Sequence, residues 1–124
     1  MTKDNQFNVV KEAFDNGRYS EAERMASDLI AETAPHEEYH SAALVILAGS
    51  SRKLGNIEKA IRQAEQALVL ADEHCLAGVK ASAWSMLGAI HSSLGSYDKA
   101  LEFYGRAVSL STELGNTTDV SGYM

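Results

Sequence analysis

The chain has 124 residues, and its 17 acidic against 11 basic side chains leave a net charge of −6, which argues against a nucleic-acid surface as its main business. A single cysteine, Cys75, forms no internal disulfide, the start MTKDNQF is no signal peptide, and no apolar run reaches membrane-spanning length, so a soluble, cytoplasmic protein is expected. One Pro, nine Gly and the lack of a Pro/Gly/Ser-rich linker imply one domain over 1–124.

Apolar residues recur at three- and four-residue steps, and no strand-like alternation is present. The pattern predicts six helices over 4–15, 19–33, 36–53, 57–73, 76–93 and 97–113. Gly17, Gly55 and Gly95 follow the first, third and fifth of these, where a left-handed residue ends a helix. Pro35 is expected in the first turn of the third helix, with Glu37 and Glu38 at the positive end of its dipole. The clearest pair comes last. Trp84, Leu87, Gly88, His91 and Leu94 share one face of the fifth helix, and Tyr97, Ala100, Leu101, Tyr104, Ala107, Val108 and Leu110 form the stripe of the sixth. Small residues at Gly88, Ala100 and Ala107 let two antiparallel helices approach closely.

The pair repeats. A shift of 40 residues lays Gly55 on Gly95, Leu47 on Leu87, Ala60 on Ala100 and Ala67 on Ala107; a further 38 lays Gly17 on Gly55 and Ala22 on Ala60. Each unit is one helical hairpin that buries its apolar side only by stacking on its neighbours.

Trp84, Leu87, Gly88, Tyr97, Ala100, Tyr104 and Ala107 match the pattern of the tetratricopeptide repeat, and the chain resembles that family in its long-repeat form. His91 stands where the family usually has Tyr, and Thr112 replaces the closing Pro. The resemblance implies an all-α, right-handed superhelical solenoid of three helix pairs, with units at about 3–38, 41–80 and 81–114 and a tail or truncated fourth unit at 115–124. It also implies a concave face lined by the first helix of each unit. Matched position by position, that face takes Asp4, Phe7, Lys11, Phe14 and Asp15, then Ala42, Val45, Gly49, Arg52 and Lys53, then Ser82, Ser85, Ala89, Ser92 and Ser93.

The expected function is a non-enzymatic scaffold without a cofactor, holding a peptide or helix of a partner protein in that groove. Lys11, Arg52 and Lys53 suit a partner with acidic groups. The two-carboxylate clamp known in the family is not matched, since its positions hold Phe7, Lys11, Ile46, Ser82 and Met86. The alternative is self-assembly through an uncapped C-terminal end, or a sensor or regulatory fragment of a larger bacterial-type signalling protein. Neither nucleic acid nor membrane is an expected partner.

Candidate chemistry is sparse. His36-Glu37-Glu38-Tyr39-His40 spells HExxH, which on a helix sets two imidazoles one turn apart for zinc with Glu37 as base. No third ligand follows at a recognisable spacing, so His36 and His40 are weak metal candidates and a metal site is not expected. His91 falls on a packing face, His74 and Cys75 lie together in a turn, and Asn116-Thr117-Thr118 is a glycosylation sequon that a cytoplasmic chain would not present.

Overall fold

The computed structural model describes the backbone of residues 2–123 and the side chains of residues 2–115; the sequon Asn116-Thr117-Thr118 lies outside the described side chains. Six helices follow one another: α1 (Lys3–Asp15), α2 (Tyr19–Glu32), α3 (Glu38–Lys53), α4 (Ile57–Glu73), α5 (Ala77–Ser93) and α6 (Tyr97–Tyr123). No helix of the described residues is long and apolar enough to cross a membrane.

Each helix packs on the next. In addition α1 touches α3 and α3 touches α5, whereas among the described residues α2 makes no contact with α4, nor α4 with α6. Odd-numbered helices are therefore closer together than even-numbered ones, and the row curves with α1, α3 and α5 on its inner side.

The turns have a local cause. Gly17, Gly55 and Gly95 take φ of 78°, 89° and 78°, the left-handed conformation that costs glycine nothing. The residue after each glycine reaches back over the helix end: Arg18 N donates to Ala13 O, Asn56 N to Ser51 O and Ser96 N to His91 O, at 2.9, 2.8 and 2.9 Å. The α4–α5 turn copies this geometry without a glycine. Cys75 adopts φ 56°, and Leu76 N donates to Ala71 O at 2.8 Å.

Two boundaries differ from the sequence expectation by more than one residue. α3 begins at Glu38 and not at 36, so Pro35 lies in the turn before the helix. There Ala34 N donates to the Glu37 carboxylate, and His40 Nδ1 meets the Thr33 hydroxyl and carbonyl, each at 3.1 Å. Thr33 Oγ1 gives its own proton to Leu29 O at 2.8 Å, so the His40 ring is the donor and clips α3 to the end of α2. α6 was expected to stop at 113 and instead runs on through Gly115. A lone glycine with no proline behind it costs a helix only about 1 kcal/mol.

α3 is the centre of the molecule, buried without a break from Ala43 to Ser51. Its neighbours α1, α2, α4 and α5 pack around its middle turns, as a largely apolar helix requires. Buried serines are satisfied: Ser50 Oγ donates to Ile46 O within α3 at 3.0 Å, and Ser51 Oγ donates across to Gln63 Oε1 of α4 at 2.8 Å. Alanines at 22, 26, 60, 64 and 67 are fully buried, and each lets a neighbouring backbone come close.

The stripe expected on α6 divides in two. Ala100 and Ala107 are buried, and Phe103 stacks between Trp84 and His91 with centroid distances of 5.6 and 5.0 Å. Tyr97, Leu101, Tyr104 and Val108 belong to the other half and are exposed.

Candidate functional site

The inner helices enclose a groove of about 490 Å3. α1 contributes Phe7, Lys11, Phe14 and Asp15; α3 contributes Glu38, Tyr39, Ala42, Val45 and Ile46; α5 contributes Gly78, Val79, Ser82, Ser85, Met86 and Ala89. Steps of three and four residues along each helix bring one face of all three to the same hollow. Its floor is apolar, with Val45, Ile46 and Val79 buried and Phe7, Phe14 and Met86 packed against them. The Phe7 and Tyr39 rings lie 5.4 Å apart, and Phe14 meets Tyr19 edge-on at 5.5 Å.

One wall exists because a side chain is missing. A Cβ on Gly49 would lie 2.9 Å from both the Phe14 ring and Met86 Cε. Those two side chains close over α3 at that point. Gly49 therefore shapes the groove from beneath and offers no surface of its own.

Charge is confined to the rim. Among the described residues Lys11 forms no ion pair, and the carboxylates of Asp15 and Glu38 stand on the same groove. At the mouth the Tyr39 hydroxyl donates to Asp4 Oδ1, tying α1 to α3. That hydrogen bond, with burial and the charges of Asp4 and Glu38, raises the Tyr39 pKa above its ordinary 10.0.

Of the residues expected on the concave face, Phe7, Lys11, Phe14, Asp15, Ala42, Val45, Ser82, Ser85 and Ala89 come together in this groove. Arg52, Lys53 and Ser92 do not line it. Arg52 Nη1 donates to Ser93 Oγ at 3.1 Å, and Lys53 Nζ sits 5.9 Å from the centre of the Tyr19 ring. Ser92 is in the last turns of α5. The expected basic cluster is thus divided, with Lys11 alone on the groove's rim, because the C-terminal turn of α3 points its long side chains toward the neighbouring helices.

Glu38, Tyr39, Gly78 and Val79 also line the groove and were not among the expected residues, and Ile46 and Met86, expected only as unmatched clamp positions, line it too. Each neighbours an expected position on its helix, so the signal was the second, flanking row of α3 and α5. Elsewhere, His36 faces His74 at 6.4 Å while His40 is buried against Thr33, so the HExxH spelling does not present two imidazoles together. Among the described residues no three His, Cys, Asp or Glu side chains gather as a metal-binding group. Cys75 is exposed in its turn.

The sequence model of the tetratricopeptide repeat matches residues 39–113. A comparison with curated proteins returns no match. Among solved structures, the chain is similar to the nearly identical TPR-like repeats of a candidate kinesin light chain from Podosopora anserina, with a TM-score of 0.71, 16% identity and 89% of this chain covered. A variant of the same repeats, with a glutamine replaced by methionine, gives a TM-score of 0.69, again at 16% identity and 89% coverage. The chain spans about half, 55%, of each of those structures. At that identity the likeness is one of fold.

Proposed function

Because the chain belongs to the tetratricopeptide repeat family, whose repeats mediate protein–protein interaction, we propose that the groove of α1, α3 and α5 captures an apolar segment of a partner polypeptide. The carrying observation is the separation of its lining: an apolar floor of Phe7, Phe14, Val45, Val79 and Met86, with charge only at the rim. A hollow of about 490 Å3 suits a large aliphatic or aromatic anchor and leaves the partner's backbone outside. Small residues on α5, at Gly78, Ser82, Ser85 and Ala89, keep that side low enough for a backbone to lie close.

Lys11 has no ion-pair partner among the described residues, so a carboxylate beside the anchor gains there, while Asp15 and Glu38 repel an acidic run. The preferred segment is then apolar with a single acidic neighbour. Units read as about 3–38, 41–80 and 81–114 would each give one groove helix.

A random peptide display library panned against the full chain tests this reading. Enriched sequences should carry a bulky apolar residue next to one Asp or Glu, and lose binding on Phe14→Ala. Enrichment that survives Phe7→Ala and Phe14→Ala alike would reject the groove.

A further inference from the structure

One face of α6 is left uncovered by the described residues. Tyr97, Leu101, Tyr104 and Val108 are 66%, 70%, 37% and 64% exposed and follow steps of four, three and four residues, which makes one continuous row. The equivalent positions one repeat earlier, 40 residues back, are Ile57, Ile61, Ala64 and Leu68 on α4. Those four are packed into the cluster that holds Leu87 and Ile90 of α5. α4 thus buries against the next helix the same face that α6 leaves largely in water, where one side of the Tyr104 ring rests on Gly88 of α5 and the rest of the row is open. The charged residues of α6 do not interrupt the row: Arg106 pairs with Glu102 at 2.7 Å and lies over Trp84 at 4.7 Å, on another side of the helix.

We infer that this row is a twofold interface, in which α6 packs antiparallel against α6 of a second copy of the chain. Area supports it. Taking about 150–250 Å2 for each large side chain, the four residues of the row leave on the order of 500 Å2 of largely apolar surface. That is the size of the largest patch on a typical monomer, and two copies together reach the roughly 1,000 Å2 that a specific interface needs.

Shape supports it as well. The row is nearly symmetric about the point between Leu101 and Tyr104, so an antiparallel copy sets Tyr97 against Val108 of the partner subunit and Leu101 against Tyr104 of the partner subunit. The other end of the row of helices gives no matching surface among the described residues. On α1 the exposed residues are mainly polar, among them Asn5, Asn8 and Glu12, with Val9 the exposed large hydrophobic. Head-to-tail stacking would bury those polar groups, whereas the twofold contact is self-complementary and closes at two copies.

The test is sedimentation equilibrium of the full chain across micromolar concentrations. The mass should rise from 13.4 kDa toward twice that value. Leu101→Glu, at a site too exposed to matter for folding, should weaken association about a hundredfold by placing a charge in the seam, with helicity unchanged. In a Cys75→Ser background, Leu101→Cys mixed with Tyr104→Cys should oxidise to a covalent heterodimer of the two variants, and Val9→Cys mixed with Tyr104→Cys should not. Phe7→Ala in the groove should leave association untouched, which separates this inference from peptide capture. A chain that stays monomeric, or a dimer indifferent to Leu101→Glu, overturns the inference. So does a monomer that instead takes up a synthetic α5 peptide.

Discussion

A methyl group on Gly49 would come within 2.9 Å of the Phe14 ring, so an aromatic wall supplied by α1 depends on a side chain absent from α3. Gly49→Ala gains about 1 kcal/mol in helix propensity and loses a comparable amount in moving the ring and the end of Met86. Thermal stability should change by under about 1 kcal/mol, while a groove-selected peptide should bind about tenfold more weakly, a loss of about 1.4 kcal/mol. Calorimetry on the free chain and titration with the peptide read the two effects separately.

Gly88 and Tyr104 make a tighter version of the same relationship. A Cβ on Gly88 would lie 2.9 Å from Tyr104 Cδ1 and 3.0 Å from its Cγ, close to the root of the side chain, where a ring has little freedom to move. Overpacking of about 1–3 kcal/mol then outweighs the propensity gain. Gly88→Ala should destabilise by about 1 kcal/mol in urea unfolding. Gly88→Ala in a Tyr104→Ala background should show no such cost; an equal cost in both backgrounds would place the strain elsewhere.

Cys75 occupies the left-handed position that Gly17, Gly55 and Gly95 hold in the other turns. A residue with a Cβ is disfavoured there by roughly 1–2 kcal/mol, partly offset by glycine's greater freedom in the unfolded chain. Cys75→Gly should stabilise by about 0.5–1 kcal/mol. A lower melting temperature for the variant would contradict the turn geometry.

Tyr39 titrates above its ordinary 10.0, first because of the hydrogen bond to Asp4 and then because of burial and the charges of Asp4 and Glu38. The folded state favours the neutral phenol, so the contact's contribution is fully present below pH 10.0 and is lost as pH rises through the raised value. Asp4→Asn should bring the Tyr39 transition down toward 10.0, read as the difference between tyrosinate absorbance titrations with and without Tyr39→Phe. An unmoved transition would remove Asp4 as its cause.

The hairpin architecture was legible from residues whose chemistry leaves few choices. Gly17, Gly55 and Gly95 mark turns because a left-handed backbone selects glycine, and buried alanines such as Ala60 and Ala67 mark close approaches between helices. Cys75 gave no such signal, since cysteine has no preference for the left-handed backbone it adopts there. Phe7, Lys11, Phe14, Val45, Ser82, Ser85 and Ala89 came from laying the repeat family's concave positions onto this sequence, and all seven line the groove. Tyr39, Val79 and Met86 lie on the flanking row, and their place in the groove depends on how far each helix is rotated against the next. Arg52 and Lys53 have the right phase, yet long side chains choose among neighbours that only the assembled fold supplies, here Ser93 and Tyr19.

The central claim is that the hollow between α1, α3 and α5 is where a partner chain binds. Its most direct measurement is the affinity of one library-selected peptide for the intact protein, for Phe14→Ala and for Leu101→Glu. The groove variant should bind at least about tenfold more weakly and the α6 variant within about twofold of wild type. Equal affinity for Phe14→Ala and wild type, with loss on Leu101→Glu, would move the binding surface to α6 and contradict the account.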